Sequence, residues 1–187
     1  PLIIDGVVFD CESERVDVGV DIEREAGDTP ALIILQGCEV RDFDTYGIQN
    51  QSREGTQMFF RNKFTGDHIT CIMTHGGDAI AEDDDQEIIV HDLEANVTCP
   101  AAGHFLQFQK IDNNTNTARL ICTFVHGTFT YTPATGGQTV VKVAGIPNTQ
   151  VADCDIRLIA PNTVNTCNCI HVAGRSTATA NDTRIVN

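Results

Sequence analysis

Gly77-Asp78-Ala79-Ile80-Ala81-Glu82-Asp83-Asp84-Asp85-Gln86-Glu87-Ile88-Ile89-Val90-His91-Asp92-Leu93-Glu94-Ala95-Asn96-Val97 runs on past Cys99 to Gly103-His104-Phe105-Leu106-Gln107-Phe108. A short apolar segment, an acidic turn, a second apolar segment, another turn and a third apolar segment follow one another here. The same order recurs up and down the chain, so the stretch reads as one rung of a solenoid.

Units starting near Leu2, Ala31, Gln57, Glu87, Ala118 and Val151 can be laid over one another. Each opens on an apolar pair: Ile3-Ile4, Ile34-Leu35, Phe59-Phe60, Ile89-Val90, Leu120-Ile121 and the degenerate Ala152-Asp153. Four residues after the first of each pair stands Val7, Cys38, Lys63, Leu93, Phe124 or Ile156. A later strand centres on Val20, Ile48, Ile80, Leu106, Val141 or Ile170. Where alternation can be judged, Val18, Val20 and Ile22, Leu106 and Phe108, Thr139, Val141 and Val143, and Asn168, Ile170 and Val172 share one face. Gly19, Asp21, Gln107, Lys142 and His171 take the other. Turn residues such as Asp112-Asn113-Asn114 and Gly136-Gly137 separate the strands, and no long stretch has helical period.

Short parallel strands bury their apolar faces only when successive rungs stack about 4.8 Å apart around a shared interior. The expectation is an all-β chain, a parallel β-helix of about six rungs forming one domain over residues 1–187. A β-sandwich is the competitor, and it requires antiparallel hairpins every eight to twelve residues or so.

Composition narrows the role. The 187 residues carry 26 acidic and 12 basic side chains, a net charge of -14, and only Lys63, Lys110 and Lys142 are lysines. Such a surface repels nucleic acid and anionic membranes. Low lysine with abundant Asp also fits a salt-adapted source. No run of apolar residues is long enough for a membrane-spanning helix. Eight cysteines without a CxxC pair favour disulfides in an oxidising compartment. In the register above Cys122 and Cys154 share a column on adjacent rungs, and Cys71 with Cys99 and Cys11 with Cys38 are weaker pairings. Sequons at Asn50, Asn96, Asn113 and Asn181 fit a secreted surface.

Asp5-Gly6-Val7-Val8-Phe9-Asp10-Cys11, Gln36-Gly37-Cys38-Glu39-Val40 and Tyr46-Gly47-Ile48-Gln49-Asn50 resemble rungs of the right-handed parallel β-helix of the pectin-lyase-like superfamily. Asp44-Thr45-Tyr46-Gly47, Gly76-Gly77-Asp78-Ala79-Ile80-Ala81, Gly103-His104-Phe105 and Val140-Val141-Lys142 resemble, in degenerate form, the motifs of polygalacturonase-type glycoside hydrolases. The resemblance implies Asp78, His104 and Lys142 as the catalytic set of such an enzyme. Tyr46 and Gly77 stand where two of the family's aspartates would be, and Val140 replaces its arginine. One carboxylate does not serve as both the acid and the base of an inverting glycosidase.

Cys167, Cys169 and His171 project from one strand face, a spacing open to a soft metal, but two disulfide cysteines and a surface histidine account for it more simply. Glu82-Asp83-Asp84-Asp85 reads as a solvated acidic turn rather than a calcium loop. No metal or cofactor is expected. The expected role is therefore a non-catalytic, extracellular, cell-surface or virion-surface module of structural, decoration, tailspike-like or adhesin type, contacting neighbouring subunits and glycans. The alternative is a polysaccharide-degrading hydrolase or lyase.

Overall fold

In the computed structural model the described residues are 1–11, 17–22, 32–51, 55–76, 86–100, 103–110, 119–132, 137–146, 148–160, 166–173 and 184–186. All regular structure among them is β-strand. The first rung is β1 (Leu2–Asp5), β2 (Val8–Asp10) and β3 (Val18–Ile22). The second is β4 (Leu32–Gln36), β5 (Glu39–Arg41) and β6 (Tyr46–Asn50), and the third is β7 (Gly55–Phe60), β8 (Lys63–Asp67) and β9 (Thr70–Gly76). In the next two rungs the first two strands merge, giving β10 (Gln86–Cys99) with β11 (His104–Lys110) and β12 (Arg119–Tyr131) with β13 (Gly137–Ala144). The chain continues through β14 (Asn148–Ala152), β15 (Asp155–Ile159), β16 (Thr166–Ala173) and β17 (Arg184–Val186).

Every recorded strand pairing is parallel, and the strands stack as a β-solenoid. The first strands stack in the order β1-β4-β7-β10-β12-β14-β17, and the last strands of the rungs in the order β3-β6-β9-β11-β13-β16. The expected six rungs become about four well-enclosed turns. The rungs from β4 to β13 bury their inward residues, whereas β1, β2 and β15 stay largely exposed because the end rungs are covered on one side only.

One backbone feature recurs in every rung. The turn from first to second strand is made by a single residue with positive φ: Gly6 (67°), Gly37 (60°), Arg61 (49°), Asp92 (55°), Phe124 (55°) and Asp153 (52°). The strand registers place these six in one column. Glycine takes this conformation freely, whereas a side-chain-bearing residue is strained by roughly 1–2 kcal/mol. The ladder of hydrogen bonds crosses the corner unbroken: Gly6 N donates to Gln36 O at 3.0 Å, Gly37 N to Phe60 O at 2.9 Å and Arg61 N to His91 O at 3.0 Å. Asn62, buried just inside the corner, accepts from Cys38 N through Oδ1 and donates to Leu35 O through Nδ2, each at 3.0 Å. The corner is thereby tied to the rung before it.

The interior is a set of apolar columns. Val20, Ile48, Ile72, Leu106, Val141 and Ile170 share one of them, all fully buried or nearly so except Ile170 on the last rung. Five of these six are the expected residues. Ile72 takes the place expected for Ile80, which lies outside the described residues, as does Asp78. In the opposite column Ile4, Leu35, Phe59, Val90, Cys122 and Val151 are in register. The pairs expected at Phe59-Phe60, Leu120-Ile121 and Ala152-Asp153 are thus out of register. The interior alternation selects Met58-Phe59, Ile121-Cys122 and Gln150-Val151 instead. For the same reason Asn62, Val125 and Cys154 occupy the places expected for Lys63, Phe124 and Ile156.

In register Cys122 stands opposite Val151, yet its side chain and that of Cys154 meet in a hydrogen bond. No disulfide is present among the described residues. Cys38 Sγ instead donates to Gln36 O at 3.4 Å, and Cys99 Sγ to Ile69 O at 3.5 Å.

Leu106 is fully buried and Gln107 is on the opposite face of the same strand, part-exposed. Leu106→Asp is expected to destabilise the chain by more than about 2 kcal/mol, since it buries an unpaired charge. Gln107→Asp should stay within about 0.5 kcal/mol. Urea unfolding of the two variants measures the difference.

Candidate functional site

The residues that the resemblance singled out meet only in part. His104 opens β11 and Lys142 lies in β13, the strand paired with it. Lys142 Nζ donates to His104 Nε2 at 3.1 Å. The pair is half-buried.

Local packing accounts for the histidine's position. A Cβ on Gly103 would lie 2.3 Å from Ile69 O, so only glycine fits before His104. The His104 backbone N–H donates to the buried Thr70 Oγ1 at 3.4 Å. Phe105 is buried against Phe129, their ring centroids 5.5 Å apart. The Gly103-His104-Phe105 motif is therefore satisfied by close packing between rungs.

Electrostatics keep this imidazole neutral. Burial and then the adjacent Lys142 ammonium lower the His104 pKa to about 4, with a smaller contribution from His171. A neutral ring is what accepts the Lys142 proton donor. His171 stands beside Lys142 in register, and Gln107 flanks it on the other side. Gln107 Nε2 in turn donates to Gln109 Oε1 at 3.4 Å. The outer face of β11, β13 and β16 thus carries amides, one ammonium and imidazoles, and no carboxylate contact to His104 or Lys142 is present among the described residues. This arrangement offers hydrogen bonds and a positive point on an acidic molecule. Asp78, the carboxylate of the expected set, lies outside the described residues.

The remaining expected positions are dispersed. Asn50 is fully buried, donating to Gln57 Oε1 at 3.4 Å, so it is not a surface sequon. Asn96 is exposed on the outer face of β10, while Asn113 and Asn181 lie outside the described residues, as does Glu82-Asp83-Asp84-Asp85. Cys169 and His171 are exposed. Among the described residues no group of three His, Cys, Asp or Glu side chains is placed to hold a metal ion.

Two features escaped the sequence reading. His68 is buried between Phe43 and Phe64, with Nε2 2.9 Å from Thr65 O, and burial lowers its pKa. On the outer face near the left-handed corner, His91 contacts Phe60 and Phe124 edge-on at 6.1 and 5.1 Å, and its Nδ1 lies 2.9 Å from Thr123 Oγ1. Phe124 is 43% exposed. Only the register between rungs brings these rings together, since Phe60, His91 and Phe124 are far apart along the chain.

No protein-family profile, curated protein or solved structure matches this chain.

Two measurements follow from the local chemistry. Because folding holds His104 and His68 below their ordinary value of 6.5, the unfolded chain binds more protons between that value and the folded ones. Stability is then present above pH 6.5 and is lost as pH falls toward 4. Removing the ammonium with Lys142→Met should narrow that acid-sensitive window in a urea titration across pH. The thiols should also separate by reactivity. A hydrogen bond from Cys122 lowers the Cys154 pKa and raises that of Cys122. Alkylation of the folded chain is expected at Cys154 and the exposed Cys169 first, with Cys38, Cys71, Cys99 and Cys122 protected until unfolding. Peptide mapping by mass reads the order.

Proposed function

We propose that this chain is a non-catalytic building block of an extracellular or virion surface assembly, acting through what it stacks against and what it displays. The open first rung carries the reading. Leu2 (44%), Ile3 (58%), Val7 (38%) and Val8 (54%) are exposed there. Among the described residues β1, β2 and β3 each pair on one side only. An unpaired strand edge bearing large apolar side chains is a template for pairing, and flanking sequence or a neighbouring subunit covers such an edge.

Two surface features support a display role. Asn96 presents its sequon from an exposed strand position, and the Phe60, His91 and Phe124 rings form an aromatic stripe of the kind on which sugar rings stack. A second reading, polysaccharide hydrolysis or elimination on a pectin-lyase-like scaffold, is favoured by one observation, the contact between His104 and Lys142. Tyr46 and Gly77, standing where two of that family's aspartates would be, weigh against it.

Reducing-sugar release and unsaturated-product absorbance on acidic and neutral polysaccharides, at low and high salt, distinguish the two. The expected result is no turnover, with light scattering that reports association of the purified chain. Turnover that His104→Ala abolishes would establish the enzyme instead.

A further inference from the structure

The residue that follows the left-handed corner makes a recurring contact. Cys38, Asn62 and Cys154 follow Gly37, Arg61 and Asp153, and the registers put the three in one column. Each reaches back to an equivalent backbone oxygen of the rung before: Cys38 Sγ donates to Ile4 O at 3.8 Å, Asn62 Nδ2 to Leu35 O at 3.0 Å and Cys154 Sγ to Cys122 O at 3.9 Å. Ile4, Leu35 and Cys122 themselves form one inward column. At the first two corners the residue reached has a hydrocarbon side chain. At the third it is a cysteine, so two sulfurs meet there and a hydrogen bond joins them.

The two thiols differ in access. Cys122 is fully buried, whereas Cys154 is half-buried beside the exposed Asp153. A reagent in solution reaches Cys154 and does not reach Cys122. The hydrogen bond from Cys122 is also the main reason that the Cys154 pKa falls to about 7, with burial and the Asp153 carboxylate opposing it. Cys71 feels the charge of Cys99 in a similar way, but both of those are fully buried, so nothing in solution begins a reaction with either.

We propose that Cys154 and Cys122 form a thiol–disulfide exchange site, with Cys154 the attacking sulfur, Cys122 the resolving one and a small disulfide the substrate class. The Cys154 thiolate attacks one sulfur of the small disulfide. A bond forms between Cys154 Sγ and that sulfur, the reagent's own S–S bond breaks, and one thiolate leaves. Cys122 then attacks Cys154 Sγ from the interior, forming the Cys122–Cys154 disulfide. The second small thiolate departs to solvent and takes up the Cys122 proton. Two protein thiols are oxidised and one small disulfide is reduced to two thiols. The product ties β12 to the turn between β14 and β15, a covalent link between neighbouring rungs that excess small thiol reverses. The site works whether or not the chain assembles.

The test exposes the full chain to oxidised glutathione, quenches with acid, alkylates the remaining thiols and maps the peptides by mass. The unmodified chain, Cys122→Val and Cys154→Ser are compared. Valine already occupies the Cys122 column at Val90 and Val151, so it keeps the interior apolar. The unmodified chain should pass through a transient glutathione adduct on Cys154 to a species lighter by two hydrogens, with the Cys122 and Cys154 peptides linked. Cys122→Val should stop at the adduct and hold it at least about tenfold longer. Cys154→Ser should give neither product at this pair. Continued protection of Cys71 and Cys99 from alkylation reports that each variant is folded, and the linked peptide of the unmodified chain decides by itself where a variant does not fold. An adduct as long-lived in the unmodified chain as in Cys122→Val would overturn the proposal. So would linkage of Cys154 to any cysteine other than Cys122, or a folded chain in which Cys154 does not react.

Discussion

The left-handed residue at the first corner is the constraint from which the rest of this solenoid follows. A rung can lie flat on its neighbour only if every rung bends at the same point by the same angle. Gly6, Gly37, Arg61, Asp92, Phe124 and Asp153 supply that bend in one column. The strain at Arg61 is tolerated because its backbone N–H donates to His91 O of the next rung and holds the corner in place. Asn62 reinforces the same corner from inside, bonding to the backbone of the preceding rung through both ends of its amide. With the corners aligned, Leu35, Phe59, Val90 and Cys122 are forced into one buried column and Leu106 and Val141 into another.

Polar groups in the interior follow the same logic. Asn50, Gln57 and Gln86 are buried together: Gln86 Nε2 and Asn50 Nδ2 both donate to Gln57 Oε1, at 2.9 and 3.4 Å, and Gln57 Nε2 donates to Gly55 O at 3.2 Å. Buried amides are tolerable only when their partners are in reach. A slip of one residue in any of the three strands would break the set, so the cluster opposes alternative registers. The glycines act by the opposite means. Gly19, Gly47 and Gly103 leave room where backbone or aromatic rings approach within about 3 Å of where a Cβ would be.

The outer surface carries what the interior does not use. On the β11, β13 and β16 face the neighbouring rungs bring a lysine against a neutral histidine. Beside the first corner they bring two phenylalanines against another histidine. On the rung of β14, β15 and β16 they leave Asp153, Asp155, Arg157 and His171 exposed. The lysine–histidine and phenylalanine–histidine clusters each gather residues from different rungs.

The parallel stacking of β-strands could be read from the chain itself. Alternation within a strand and the apolar pair at the head of each unit are local, and local patterning reports which face is buried. Leu106, Val141, Ile170, Ile48 and Val20 were legible as one column for that reason. The register between rungs was not legible in the same way. Phe59-Phe60 and Leu120-Ile121 are apolar pairs by composition, yet the corner residue and the hydrogen-bond ladder set Phe59 inward and Phe60 outward, and Cys122 opposite Val151. The register at the corners sets Cys122 opposite Val151 while its side chain still meets that of Cys154, and it buries Asn50, which sequence alone placed on the surface. The meeting of His104 with Lys142 was suggested by motif, but the neutral state of the histidine is set by burial and by an ammonium from the next rung. Composition and periodicity determine that this chain coils into stacked strands. Contacts between rungs, which are non-local, decide which side chains then stand next to one another.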